Sequence, residues 1–234
     1  MSLNDQTPIA TPKQPPADLA DWIERFQKLY TGAINDILDE MDCCDRVLPH
    51  GIKALQPGMR VAGVAMPMWG EPTTSRDSDE LLIPWMRMLQ AVRPGCVIVS
   101  QPHDNENAHF GELSSHAAKI QGCQGAVIDG GCRDIEYILA QSRLPVFCRY
   151  TTPKDIKGRW IIREYDVPIT IGKTVIEPGD FVVGDMDGVI VIPKQITLEV
   201  LERAERVKNE ENLTRTMILS GEPPLEAYLK YRRF

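Results

Sequence analysis

The 234-residue chain has no apolar run long enough to span a bilayer, and Met1 to Ala20 carries neither the basic start nor the apolar stretch of a secretion signal. A cytoplasmic protein with no membrane partner is expected. The chain also lacks a basic surplus, since 26 Lys and Arg face 33 Asp and Glu for a formal charge of −7. No nucleic-acid ligand is expected, because phosphate binding draws on a basic face that releases counterions. The six cysteines (Cys43, Cys44, Cys96, Cys123, Cys132, Cys148) contain no C-x-x-C pair, which argues against a zinc ribbon or a disulfide framework and for reduced, mostly buried thiols. His50, His103, His109 and His116 lack metal-ligand spacing. Walker A, G-x-G-x-x-G, G-x-S-x-G and H-E-x-x-H patterns are missing as well.

What remains is a chain with an ordinary apolar share of 43%, enough for one packed domain with appended arms. Residues 1–17, rich in Pro, Thr and Gln, read as a disordered or draped arm. A domain over 18–195 follows, then a helical extension over 196–234, expected at a subunit interface. Leu19, Ile23, Phe26, Leu29 and Tyr30 mark one helix, and Thr31 is placed to cap a second that carries Ile34, Ile37, Leu38 and Met41. Three Pro-Gly turns (Pro57-Gly58, Pro94-Gly95, Pro178-Gly179) each feed a β-branched strand, and Asp187-Gly188 suits a hairpin.

The middle reads as mixed α/β. Ser78 to Val92 has helical spacing if Pro84 lies in the first turn, and Glu112 to Gln121 forms a helix with Leu113, Ala117 and Ile120 on one face and Gly122 as its stop. Next come a strand at Ala126 to Ile128, a turn at Gly130-Gly131, a helix from Asp134 to Gln141 and a strand at Pro145 to Cys148. A long polar helix runs from Thr197 as N-cap to Leu219, ended by Gly221 and Pro223.

Two features can carry chemistry. Gly111-Glu112-Leu113-Ser114 enters a helix, whose first-turn N–H groups lack intrahelical partners and can receive a carboxylate; equally, Gly111 ends a loop and Glu112 complements the helix dipole. In Arg133-Asp134, the guanidinium offers a planar fork to a carboxylate and the aspartate a ligand to a hard divalent cation; equally, Asp134 is a helix cap and Arg133 pairs with Asp129 or Glu136. Both helix mouths open on one end of the sheet, where ligands of such folds sit.

The run Gly111-Glu112-Leu113, Ala117-Ala118-Lys119, Gly122, Gly125 to Gly130, Arg133-Asp134, Pro145-Val146-Phe147, Pro178-Gly179-Asp180 and Asp185-x-Asp187-Gly188-Val189 resembles the family of regulator of ribonuclease activity A and 4-hydroxy-4-methyl-2-oxoglutarate aldolase. The 22-residue step from Gly111 to Arg133 is shared with it. The resemblance implies a β-barrel-like or layered α/β/β core wrapped by helices, in homotrimers or hexamers with active sites between subunits. It implies a divalent-metal-dependent class II pyruvate aldolase that cleaves a 4-hydroxy-2-oxo acid, such as 4-hydroxy-4-methyl-2-oxoglutarate or 4-carboxy-4-hydroxy-2-oxoadipate, and can decarboxylate oxaloacetate. By that likeness Asp134 holds Mg²⁺ or Mn²⁺, Arg133 binds and activates the 2-keto acid, and Gly111, Glu112, Leu113 and Ser114 complete the pyruvate site. Asp36 and Glu210 or Glu211 would then hold a catalytic water from the neighbouring subunit. Two other family roles stay open: a non-catalytic regulator that binds a ribonuclease, and a demethylmenaquinone-type methyltransferase. Against the second, the chain has no glycine-rich loop for S-adenosylmethionine.

Overall fold

A computed structural model describes residues 18–232; the expected N-terminal arm at 1–17 and the terminal residues 233–234 lie outside the described residues. Two amphipathic helices, α1 (Leu19–Phe26) and α2 (Thr31–Glu40), precede the sheet. Then follow β1 (Lys53–Ala54), β2 (Val61–Pro72), α3 (Ser78–Gln90), β3 (Cys96–Gln101), β4 (Ala108–Phe110), α4 (Glu112–Ile120) and β5 (Gly125–Cys132). A short α5 (Ile135–Tyr137) runs on into a π-helical turn, Ile138–Ser142. The chain continues through β6 (Val146–Thr151), β7 (Trp160–Tyr165), β8 (Ile169–Ile171), β9 (Thr174–Ile176), β10 (Phe181–Gly184) and β11 (Val189–Ile192) to α6 (Thr197–Leu219) and α7 (Pro224–Tyr231).

The main sheet runs β1-β6-β5-β3-β2-β10-β11, with β4 added to β5 and β7 to β2. Its centre, β2, β3, β5 and β6, is parallel, so these strands end on the same side. One segment joins the two edges. Val47 bridges Ile190 on β11 and the Leu48 N–H donates to Val189 O at 2.9 Å, while Lys53 and Ala54 pair with Cys148 and Phe147 on β6. The sheet thereby closes nearly into a barrel.

Alternation along each strand sorts the apolar side chains into three cores. Val97, Val99, Val127, Phe147, Val182 and Val191 fill the barrel interior, which the β8–β9 hairpin plugs with Ile169, Ile171 and Ile176. Their neighbours in sequence, such as Ile98, Ala126 and Ile128, face outward against α3 and the α4–α5 region. On another outer face Phe181, Val183, Ile190 and Ile192 pack under α1, α2 and α6. Truncating a fully buried ring such as Phe147 to alanine would cost about 3–5 kcal/mol.

The Pro-Gly turns, the Gly122 stop and the span of α6 match the sequence reading: Gly58, Gly95, Gly122, Gly179 and Gly221 all adopt positive φ, as their turns require. The cysteines are free thiols, four of them buried. Other expectations need correction. Pro84 sits in the interior of α3, whose N-terminus is fixed instead by Asp77 accepting from the Asp79 and Glu80 N–H groups. Neither Thr31 nor Thr197 caps its helix: each is the first helical residue, and Thr31 donates to Asp185. On α4 the buried residues are Ser115 and Ala118, whereas Leu113 and Ile120 are 80% and 84% exposed. The helix lies close on the sheet through small side chains, tied by Ser115 Oγ donating to Ser142 Oγ at 2.8 Å, which turns the large ones outward. No helix among the described residues is long and apolar enough to cross a membrane.

Candidate active site at the ends of β4 and β5

Gly130 and Gly131, expected as a turn, lie inside β5. Side chains there have no room. A Cβ on Gly131 would stand 2.4 Å from the Asn107 carbonyl oxygen and 2.5 Å from the Tyr150 ring, and one on Gly130 would stand 2.6 Å from His109 Nδ1. Two glycines let β5 run on beside β4, which pairs with it in parallel at Gly131 and Cys132. The Arg133 N–H then donates to Phe110 O at 3.0 Å, and Phe110 leads directly into Gly111 and α4. Residues far apart in sequence are joined by this strand pair.

His109 holds the junction from beneath. Its side chain is fully buried, edge-on to Trp160 at 5.2 Å between ring centroids. Nδ1 accepts the Gly131 N–H at 3.3 Å, so Nε2 carries the proton and donates to Asp104 Oδ2 at 2.9 Å. Burial pushes the imidazole below its ordinary 6.5, although Asp104 pulls the other way. Burial also draws the Asp104 carboxyl up, but the donors on Asn107 and His109 outweigh it and hold it below its usual range.

Asp134 takes a left-handed backbone conformation, φ 59°, which costs a non-glycine residue roughly 1 kcal/mol. That conformation turns the carboxylate away from its own helix. Asp134 makes no side-chain cap bond to α5, and its Oδ2 faces the Glu112 N–H at the mouth of α4, 3.4 Å away. Gly111 lies against the pair: a Cβ there would meet Asp134 Oδ2 at 2.8 Å and Arg133 Cγ at 3.3 Å. Arg133 does not pair with Asp129, which is bound to Arg149. Its Nε stands 3.4 Å from Asp134 Oδ2 and its Nη1 3.4 Å from Asp155 Oδ2, all three side chains being 36–41% exposed.

The sequence reading missed Asp155 altogether. The segment that carries it is stitched to the site strands: Ala108 N–H donates to Lys154 O at 2.8 Å and Thr152 N–H to Cys132 O at 3.0 Å. Beside Arg133 and Asp134 opens a cleft of about 300 Å³, walled by Cys132, Ile135, Thr151, Thr152 and Pro153. Leu113 projects into solvent at the α4 mouth, Ser114 Oγ accepts from Trp85 Nε1 at 3.1 Å, and the backbone N–H groups of both residues lie in the first turn.

Asp36, Glu210 and Glu211 are not brought to this cleft. They sit on α2 and α6, which pack on each other and on the β10–β11 side. Glu210 lines a separate hollow of about 190 Å³ with Ile37, Glu40, Arg203, Arg206 and Val207.

A family model described as RraA-like, Aldolase/RraA, matches residues 31–191. A Halalkalibacterium halodurans protein with the provisional name 4-hydroxy-4-methyl-2-oxoglutarate aldolase is 32% identical over 90% of this chain and 94% of its own length. An uncharacterized Pseudomonas syringae pv. tomato protein of known structure superposes with a TM-score of 0.78 at 30% identity, over 92% of this chain and 99% of that one. Streptomyces coelicolor RraAS2, described as an unusual member of the RNase ES inhibitor RraA protein family, gives a TM-score of 0.76 at 27% identity over 87% and 99% of the two chains. The extent of these matches, together with the barrel and the Gly111 to Asp134 junction, places the chain in the RraA-like family.

Proposed function

We propose that the cleft at Arg133 and Asp134 is the active site of a divalent-metal-dependent pyruvate aldolase acting on a 4-hydroxy-2-oxo acid. The observation that carries this reading is the junction itself: a half-exposed guanidinium held by two ion pairs at 3.4 Å, a carboxylate that does not cap its own helix and the open first turn of α4 meet at Gly111. The name of the Halalkalibacterium relative points the same way.

The donor set suits Mg²⁺ or Mn²⁺. Among the described residues no group of three or more His, Cys, Asp or Glu could enclose a metal, which fits a hard ion that keeps most of its waters and takes one or two carboxylates. Asp134 would hold it, and Glu112, whose Oε1 lies 3.2 Å from His116 Nε2, would be the acidic side chain available to its waters. Such an ion supplies positive charge to the 2-oxo group where negative charge develops.

The chain's own groups do the rest. Arg133 and the amides of Leu113 and Ser114 bind the carboxylate, and Asp134 and Asp155 hold the guanidinium in one direction. Cleavage then moves the 4-hydroxyl proton to a base, breaks C3–C4 and leaves its electron pair in the pyruvate enolate, which takes a proton at C3. No external oxidant or reductant is involved. Arg133 stabilises the developing charge. Asp36 with Glu210 or Glu211 would reach the cleft from a second copy in a trimer or hexamer and hold the water that relays the proton.

Pyruvate release from 4-hydroxy-2-oxo acids, coupled to lactate dehydrogenase, tests this: turnover that EDTA abolishes and Mg²⁺ restores is expected. Absence of metal-dependent release, and of oxaloacetate decarboxylation, would sink it. The likeness to RraAS2 favours one second reading, a regulator that binds a ribonuclease. That reading predicts ribonuclease inhibition unchanged in Arg133→Ala.

A further inference from the structure

Regular strand pairing breaks where β5 reaches the site, and a buried side chain takes its place. We infer that His109 is a positioning residue: its imidazole, oriented by Asp104, holds the Gly131 amide and so fixes the direction in which β5 presents Arg133 and Asp134. The inference rests on the reading of that pair as the working groups of the site.

The pairing of β5 with β6 is irregular between Ile128 and Gly131, and that of β4 with β5 between Ala108 and Phe110. Irregularities of this kind bend a strand and re-aim the side chains beyond it. His109 lies inside the second one, and its Nδ1 accepts the Gly131 N–H at 3.3 Å. Backbone pairing resumes at Arg133, whose N–H reaches Phe110 O. The approach to Arg133 and Asp134 is thus pinned on both sides of Cys132, once by a side chain and once by backbone.

An apolar side chain would fill this space without the cost of stripping water from two ring nitrogens. Here both nitrogens are used. Nε2 donates to Asp104 Oδ2, and that carboxylate is itself held by the Asn107 N–H and Nδ2 at 3.1 and 2.7 Å and by the Glu106 N–H at 3.2 Å. A fixed acceptor at Nε2 leaves Nδ1 unprotonated, the form that can receive an amide proton. Gly130 admits the ring, since a Cβ there would stand 2.6 Å from Nδ1.

Amide hydrogen exchange followed by NMR, with Mn²⁺ calorimetry alongside, tests this on the full chain and on His109→Leu and His109→Asn. Leucine fills the volume without an acceptor, whereas the asparagine oxygen stands near the place of Nδ1. In His109→Leu the Gly131 and Arg133 amides should lose protection by about tenfold or more beyond any change at Val127 in the barrel interior, and Mn²⁺ should bind about tenfold more weakly. His109→Asn should recover most of both. Should His109→Leu not fold, Asp104→Asn, which lets the ring carry its proton on Nδ1, is expected to open the same two amides. Exchange that rises equally at Val127, Gly131 and Arg133 with Mn²⁺ affinity unchanged, or an asparagine variant no better than leucine, would overturn the inference. If the unaltered chain binds no Mn²⁺, the metal reading falls, and exchange at Gly131 and Arg133 still decides for or against His109.

Discussion

Asp185 and Asp134 hold equivalent places at two ends of the molecule. Each follows a strand, β10 or β5, and each lies at the N-terminus of a helix that is not its own continuation. Asp185 is 5% exposed and accepts from Thr31 N, Thr31 Oγ1 and Asp187 N at 2.8, 2.8 and 3.0 Å. Asp134, with a side chain 41% exposed, has one distant amide and one distant guanidinium, both at 3.4 Å. The difference is saturation. A carboxylate whose lone pairs are filled by the protein holds α2 in place, and one left under-filled beside an open helix mouth has capacity for a ligand.

The largest change that would break this contrast is Arg133→Ala. Pyruvate release should fall about a hundredfold or more, with the melting temperature nearly unchanged because the side chain is part-exposed. Asp185→Ala should do the reverse. It removes the α2 cap and strands the Thr31 donors, lowering stability by roughly 2–3 kcal/mol in urea unfolding. Gly111→Ala is intermediate: a Cβ 2.8 Å from Asp134 Oδ2 displaces that carboxylate, so kcat/KM should drop about tenfold with little loss of stability.

The smallest effect sharpens the picture beneath the site. Because burial holds His109 below its ordinary 6.5, the unfolded chain takes up a proton in acid before the fold does, so stability is lost as pH falls from 6.5 toward the folded value. Melting temperature should decline over that window. His109→Asn should flatten the decline, and a slope equal to wild type would remove His109 as its source.

Much of the scaffold was legible because its signals are local. A proline followed by glycine sets a turn in place, and Gly221 with Pro223 stops α6 whatever surrounds it. The misread pieces depend on neighbours distant in sequence. Gly130-Gly131 looks like a turn until His109, Asn107 and Tyr150 press against it, and the face of α4 is chosen by how closely Ser115 approaches Ser142. At the site, Gly111, Arg133 and Asp134 stood out by residue type and by family resemblance. Asp155 did not, since Pro153-Lys154-Asp155 is ordinary turn chemistry and only its pairing with β4 brings it to Arg133. The saturation that separates Asp185 from Asp134 is likewise written in tertiary contacts, not in either residue's local sequence.

Titrating Mn²⁺ into the unaltered chain and into Asp134→Asn by calorimetry, with thermal melts alongside, tests the uncapped carboxylate most directly. Mn²⁺ affinity should weaken about tenfold or more in the variant while the melting temperature holds. Unchanged Mn²⁺ affinity, or a melt lowered as in Asp185→Ala, would instead make Asp134 a structural residue.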